Sequence, residues 1–223
     1  MRMNTSLKHV FFIFCMLAVA VLTSGGKKQS GLSPHEEEIA RRIGFDKEVF
    51  TLLKEETREP IHRLTGYDEE GYQIMADGVS VSVPQDKVEQ LLAGLKPKLN
   101  KKGYMAFIVE VNDGIKTDKI GVLKGIDPYD ILRVMQTNGE NEDISNEDVI
   151  ARLREWEKDS PFEIIGAEND WIEIEFKKLP KNPRSFVEDL EDFCPDAVED
   201  GASAEEELVK ELQKTRRLHL SWD

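Results

Sequence analysis

The chain has 223 residues, 33% of them charged and 39% apolar, a globular composition long enough for one good-sized domain or two small ones. Its 30 Lys and Arg face 44 Asp and Glu, for a net charge of −14. That balance argues against the broad basic surface of a nucleic-acid binder and disfavours docking on anionic lipid, whereas a basic protein partner fits it.

Arg2 and Lys8 flank the start of an uncharged apolar run from Val10 to Leu22 (VFFIFCMLAVAVL). The run falls short of the ~20 residues that span a bilayer and suits the roughly 7–15 apolar residues of a secretory signal. Residues 1–24 are therefore expected to be a signal segment, and the protein to be exported to the periplasm or cell surface. Leu22-Thr23-Ser24-Gly25 resembles a lipoprotein cleavage box with glycine at the place of the lipid-bearing cysteine. Glycine has no thiol, so lipidation there is chemically excluded. The segment is either cleaved near Ser24 or kept as a membrane tether. Cleavage also removes Cys15 and leaves Cys194 alone, so no intrachain disulfide is available.

Residues 25–33 (GGKKQSGLS) read as a flexible tether, and residues 34–98 as an N-terminal α+β region. Ser33 caps a helix that starts at Pro34 and ends near Ile43, and a second helix covers residues 46–55. Strands follow at 61–65 and 72–75, around an acidic turn. Val79, Val81 and Val83 alternate with Ser80 and Ser82, the period of a half-buried strand, which Pro84 ends. Val88, Leu91, Leu92 and Leu95 give an amphipathic helix over residues 85–99.

Residues 99–223 read as a second α+β unit. Strands are expected at 104–111 and 119–124, joined by Asn112-Asp113-Gly114. Asp127-Pro128 opens a helix to about Gln136, residues 138–143 form an acidic loop, and Ser145 caps a helix whose buried face is Val149, Leu153 and Trp156. A hairpin of 161–166 and 171–177 turns at 167–170, with Ile172, Ile174 and Phe176 inward and Glu173 and Glu175 in water. Phe186, Leu190 and Phe193 mark the next helix, Leu208, Val209 and Leu212 another, and Leu218, Leu220 and Trp222 a final strand. The fold class is α+β, a mostly antiparallel sheet with amphipathic helices packed against it.

No residue set commits to a chemistry. His35, His62 and His219 are far apart, and there is no HExxH, CxxC, nucleophile elbow or phosphate loop. The acidic loop at 138–148 lacks EF-hand spacing. Cys194 ends a helix, where the dipole raises a thiol's pKa, so it is read as structural. No catalytic, cofactor-binding or metal-ligating residue is assigned. The candidate ligand or interaction surface is Asn141, Asp170, Trp171, Asp196, Trp222 and Asp223.

Several local patterns recur together: residues 128–132 (PYDIL), Thr137-Asn138-Gly139, Asn141, the helix from Ser145 to Trp156, Gly166-Ala167, Asp170-Trp171, residues 193–196 (FCPD), Gly201 and Trp222-Asp223. The combination resembles the bacterial domain of unknown function 4253, over roughly residues 103–223. Glu142, Asp200 and Ser221 depart from that family pattern, which more often has an aromatic, a glutamine and a tryptophan there. The resemblance implies a fold unit and no established activity, so it supplies no catalytic residue and no cofactor. The expected function is a non-catalytic acidic binding or interaction module of the cell envelope, with a basic protein as partner. The alternative is an envelope hydrolase whose carboxylates only the fold brings together.

Overall fold

The computed structural model describes residues 31–110, 117–198 and 203–222. The expected signal segment, the tether as far as Ser30, the turn at 112–114, Asp200, Gly201 and Asp223 lie outside the described residues.

Two helices open the body, α1 (Pro34–Ile43) and α2 (Lys47–Thr57). The Ser33 hydroxyl accepts from the Glu36 N–H at 3.2 Å, and the Glu36 carboxylate accepts from the Ser33 N–H at 2.8 Å, so the cap is a full capping box. The same carboxylate accepts from the Ile61 N–H at 3.1 Å and pairs with Lys54 Nζ at 2.8 Å. One buried side chain thus ties α1 to α2 and to the start of the sheet.

The strands are β1 (His62–Tyr67), β2 (Gln73–Pro84), β3 (Tyr104–Glu110), β4 (Thr117–Lys124), β5 (Phe162–Ala167), β6 (Trp171–Phe176) and β7 (Arg217–Ser221). Between them run α3 (Val88–Asn100), α4 (Tyr129–Met135), α5 (Asn146–Asp159), α6 (Pro183–Phe193) and α7 (Ala204–Thr215). The strands expected at 72–75 and 79–83 are one 12-residue strand. The Ala76-Asp77-Gly78 stretch between them stays in the strand although its pairing with β1 shifts register there, with Gly78 passing close under Leu64 and Leu123.

The seven strands among the described residues form one sheet in the order β1-β2-β4-β3-β5-β6-β7. Neighbours are antiparallel except β3 and β5, which run parallel through Ile108 opposite Gly166. The fold is α+β, with helices on both faces of a mostly antiparallel sheet. On one face α1, α2 and α3 bury Phe50, Leu53, Leu95 and Leu99 against Val79, Val81, Val83, Ile120 and Val122. On the other, Leu132, Met135, Leu153, Leu190 and Leu212 pack on Phe107, Leu123, Ile164, Ile172 and Ile174. β3 lies between both cores, so its first six residues are all buried, as its unbroken apolar run requires. Each fully buried large side chain contributes about 1.5–3 kcal/mol of transfer free energy, and these two clusters hold the body together. Cys194 is buried and free, so no disulfide assists among the described residues. No helix among the described residues is long and apolar enough to cross a membrane.

Candidate functional site

Three strand pairs carry register shifts among the described residues: β1–β2, where Arg63 and Thr65 face Val79 and Met75 so that the extra residues lie in β2, β3–β4 between Ile108 and Glu110, and β5–β6 between Ile164 and Gly166. Irregularities of this kind re-aim side chains, and they gather beside functional sites. The shift in β3 places Glu110 opposite Lys119 of β4, and the two form an ion pair. The β1–β2 hairpin also curls across this face. Tyr67, at its far end, reaches Glu168 just beyond β5, 101 residues away in sequence.

The curl encloses a cavity of about 150 Å³, whose polar wall includes Thr65, Tyr67, Ser80, Glu110, Lys119 and Glu168. Gln73 lines it too, although Gln73 and Ser80 lie seven positions apart on β2, which therefore bends around the space. Ser80 was expected on a wet strand face and is only 8% exposed, because the hairpin covers that face.

Glu168 lines this cavity together with Glu110. Its Oε1 accepts from the Tyr67 hydroxyl at 3.2 Å, and its Oε2 accepts a longer bond from Trp171 Nε1 at 3.4 Å. Its backbone is pinned as well. The Glu168 carbonyl accepts from the Thr137 hydroxyl at 2.6 Å, the Asn169 carbonyl from the Asn138 N–H at 2.8 Å, and the Asp170 carbonyl from the Trp222 N–H at 2.9 Å. Gly166 makes room for the Trp171 ring, since a Cβ there would stand 2.9 Å from the indole and from the Ile108 carbonyl. Burial pushes the Glu168 carboxyl above the usual glutamate range; the Trp171 and Tyr67 bonds pull it down, and Asp170 and Glu110 push it further up. Burial likewise raises the Tyr67 phenol.

Beside the cavity runs an open groove of about 690 Å³ between the β1–β2 turn and the α4–α5 loop. Glu69, Glu70, Glu140, Asp143 and Glu147 line it, and Arg133 is its one cationic wall residue among the described residues. The Arg133 guanidinium is already engaged by Asp130 at 2.7 Å and Asp127 at 3.3 Å. Tyr72 and Met75, on the same hairpin, are 71% and 63% exposed.

The sequence candidates fall around this end of the molecule without forming one surface. Trp171 is half-buried, stacks on His219 with centroids 5.6 Å apart, and touches Glu168. Asp170 is exposed in the turn beside it. Trp222 is 4% exposed, packed on Phe193 at 5.8 Å and against Gly139, so its ring is committed to the core and offers no stacking face. Its Nε1 is buried without a hydrogen-bond partner, as is Glu142 Oε2. Asn141 and Asp196 are exposed in short 3-10 turns, and Asp223 is outside the described residues. Glu173 and Glu175, expected on the wet face of their strand, both face Arg217 at 3.4 Å. Sequence reading passed over Tyr67, Glu110, Lys119 and Glu168. Only the Glu168-to-Trp171 proximity was visible along the chain.

Cys194 is buried and donates to the Ser221 carbonyl at 3.2 Å. Burial pushes its pKa up to about 11 even though the Ala197 and Ser221 backbone contacts lower it, the environment of a structural thiol. Among the described residues no three His, Cys, Asp or Glu side chains gather as a metal site.

Fold and site together define a mixed-sheet α+β protein with a small anionic cavity beside an acidic groove. Residues 119–223, just under half of the chain, match the model of a family described as Domain of unknown function (DUF4253), so that segment is similar to the family. No curated protein and no solved structure gives a match to the chain.

Proposed function

We propose that this is an exported, non-catalytic binding module of the cell envelope that recognises a basic protein partner through its acidic groove. The observation that supports the reading is the groove's charge: among the described residues five carboxylates line it, and its one guanidinium is already neutralised by aspartates. On a chain of net charge −14, that patch sits in a field that attracts cations and speeds their encounter. Exposed Tyr72 and Met75 beside the groove supply apolar contact of the kind enriched at interfaces.

Titration of the full chain with oligolysine tests this. Binding is expected at low salt, weakening as salt rises, and weakening again in an E69K/E70K/E147K variant. Absence of binding at low salt, or affinity indifferent to the charge reversal, sinks the reading. A second reading, an envelope hydrolase, draws on the raised pKa of Glu168, which suits a general acid. It requires turnover of an envelope polymer that Glu168→Gln abolishes.

A further inference from the structure

We propose that the cavity under the β1–β2 hairpin is a receptor site for one N–H-bearing organic cation, the ammonium or guanidinium head of a basic side chain. The inference rests on the binding reading above and assigns the cavity, as distinct from the groove, a ligand of its own.

The charge inventory comes first. Among the described residues two carboxylates and one ammonium line the space, and the ammonium of Lys119 is spent on Glu110. Glu168 makes no ion pair with a Lys, Arg or His among the described residues, and the charges that bear on it most, Asp170 and Glu110, are negative. A half-buried carboxylate without a cation is penalised, and an arriving cation removes the penalty while gaining the Coulomb attraction of a partly dry site.

Geometry narrows the ligand. An ionised carboxylate offers about four lone-pair sites, and Tyr67 and Trp171 occupy one on each oxygen of Glu168, leaving one on each without a partner among the described residues. Thr65, Ser80 and Gln73 also line the space, and their side-chain oxygens are of the kind that accepts further N–H groups. At about 150 Å³ the cavity has the room of roughly five waters at ~30 Å³ each, which suits a head group of a few heavy atoms. The pinned backbone of residues 168–170 holds the carboxylate ready, so little ordering is left for the ligand to drive.

The Trp171 indole N–H is a built-in reporter because it donates to Glu168. Its resonance is assigned among the chain's 3 tryptophans with a Trp171→Phe variant and followed in the full chain during titration. Methylammonium stands for lysine, guanidinium at non-denaturing concentration for arginine, and tetramethylammonium is a cation without N–H donors. A saturable shift with methylammonium or guanidinium, none with tetramethylammonium, and loss of the shift in Glu168→Gln are expected. Unchanged Trp156 and Trp222 resonances in that variant certify its fold. An equal shift with tetramethylammonium, or a saturable shift that survives Glu168→Gln, overturns the proposal. The two readings fail separately. Oligolysine binding that is indifferent to Glu168→Gln, with no Trp171 response, removes the cavity ligand and leaves the groove. A Trp171 response without oligolysine binding does the reverse.

Discussion

Replacing Glu36 with Gln isolates the charge that fastens α1 to the body. Burial by itself raises the pKa of this carboxyl, but the Lys54 ammonium, the Ser33 and Ile61 amides and the Ser33 hydroxyl outweigh it and hold the group at about 2, against an ordinary 4.5. A gap of roughly 2.5 units at ~1.4 kcal/mol each is about 3 kcal/mol, and the side chain is 3% exposed, so solvent screening removes little of it. The sign follows from the depressed pKa: the unfolded chain binds the proton first. The contribution is therefore complete above about pH 5 and is lost as pH falls toward about 2. Glu36→Gln keeps an acceptor for the amides and leaves Lys54 without its counter-charge. Urea unfolding of wild type and variant across this window is expected to show a deficit of about 2–3 kcal/mol near neutrality that shrinks steadily on acidification. Differencing the two proteins cancels the other carboxylates. A deficit that stays constant from about pH 6 to about pH 3 refutes the ion-pair account and leaves only packing.

Three other outcomes are expected. Glu168→Gln is predicted to be as stable as wild type or more so near neutral pH, with the difference fading in acid, because a raised carboxyl pKa means that ionised Glu168 is disfavoured in the fold; a marked loss of stability in denaturant titration contradicts this. Gly139→Ala places a Cβ 2.6–3.0 Å from the Trp222 ring and is expected to cost about 1–3 kcal/mol, a loss that shrinks when Trp222→Ala is the background, as a double-mutant cycle will measure. In a Cys15→Ser chain, Cys194 is predicted to resist thiol reagents at neutral pH until denaturant is added, and rapid native labelling disproves its burial.

Much of the frame is written locally. Val79, Val81 and Val83 alternate and do face one core, and Ser33 and Ser145 cap helices through side chains three residues apart. The unbroken run of β3 marks a strand buried on both sides. The cavity is illegible for the opposite reason. Tyr67 meets Glu168 only because β2 bends and β5 lies beside β3, and neither fact leaves a period or a spacing in the chain. Register shifts hide similarly, since the shift that turns Glu110 toward Lys119 breaks the two-residue rule by which faces are assigned. Trp222 shows the converse error: an aromatic at a chain end looks available, and the burial that closes over it comes from Gly139 and Phe193, distant in sequence.

The strand order has a consequence for where this protein can be cut. The family match begins at Lys119, inside β4, yet β4 does not touch β5. The strand between them is β3, which precedes the matched segment. Residues 119–223 expressed alone would thus be a sheet with its middle plank missing, leaving β4 without either neighbour and β5 bare along one edge. Inheritance by sequence and independence in folding divide this chain at different places. The smallest piece that carries the family segment and still closes its sheet must bring Tyr104–Glu110 along with it.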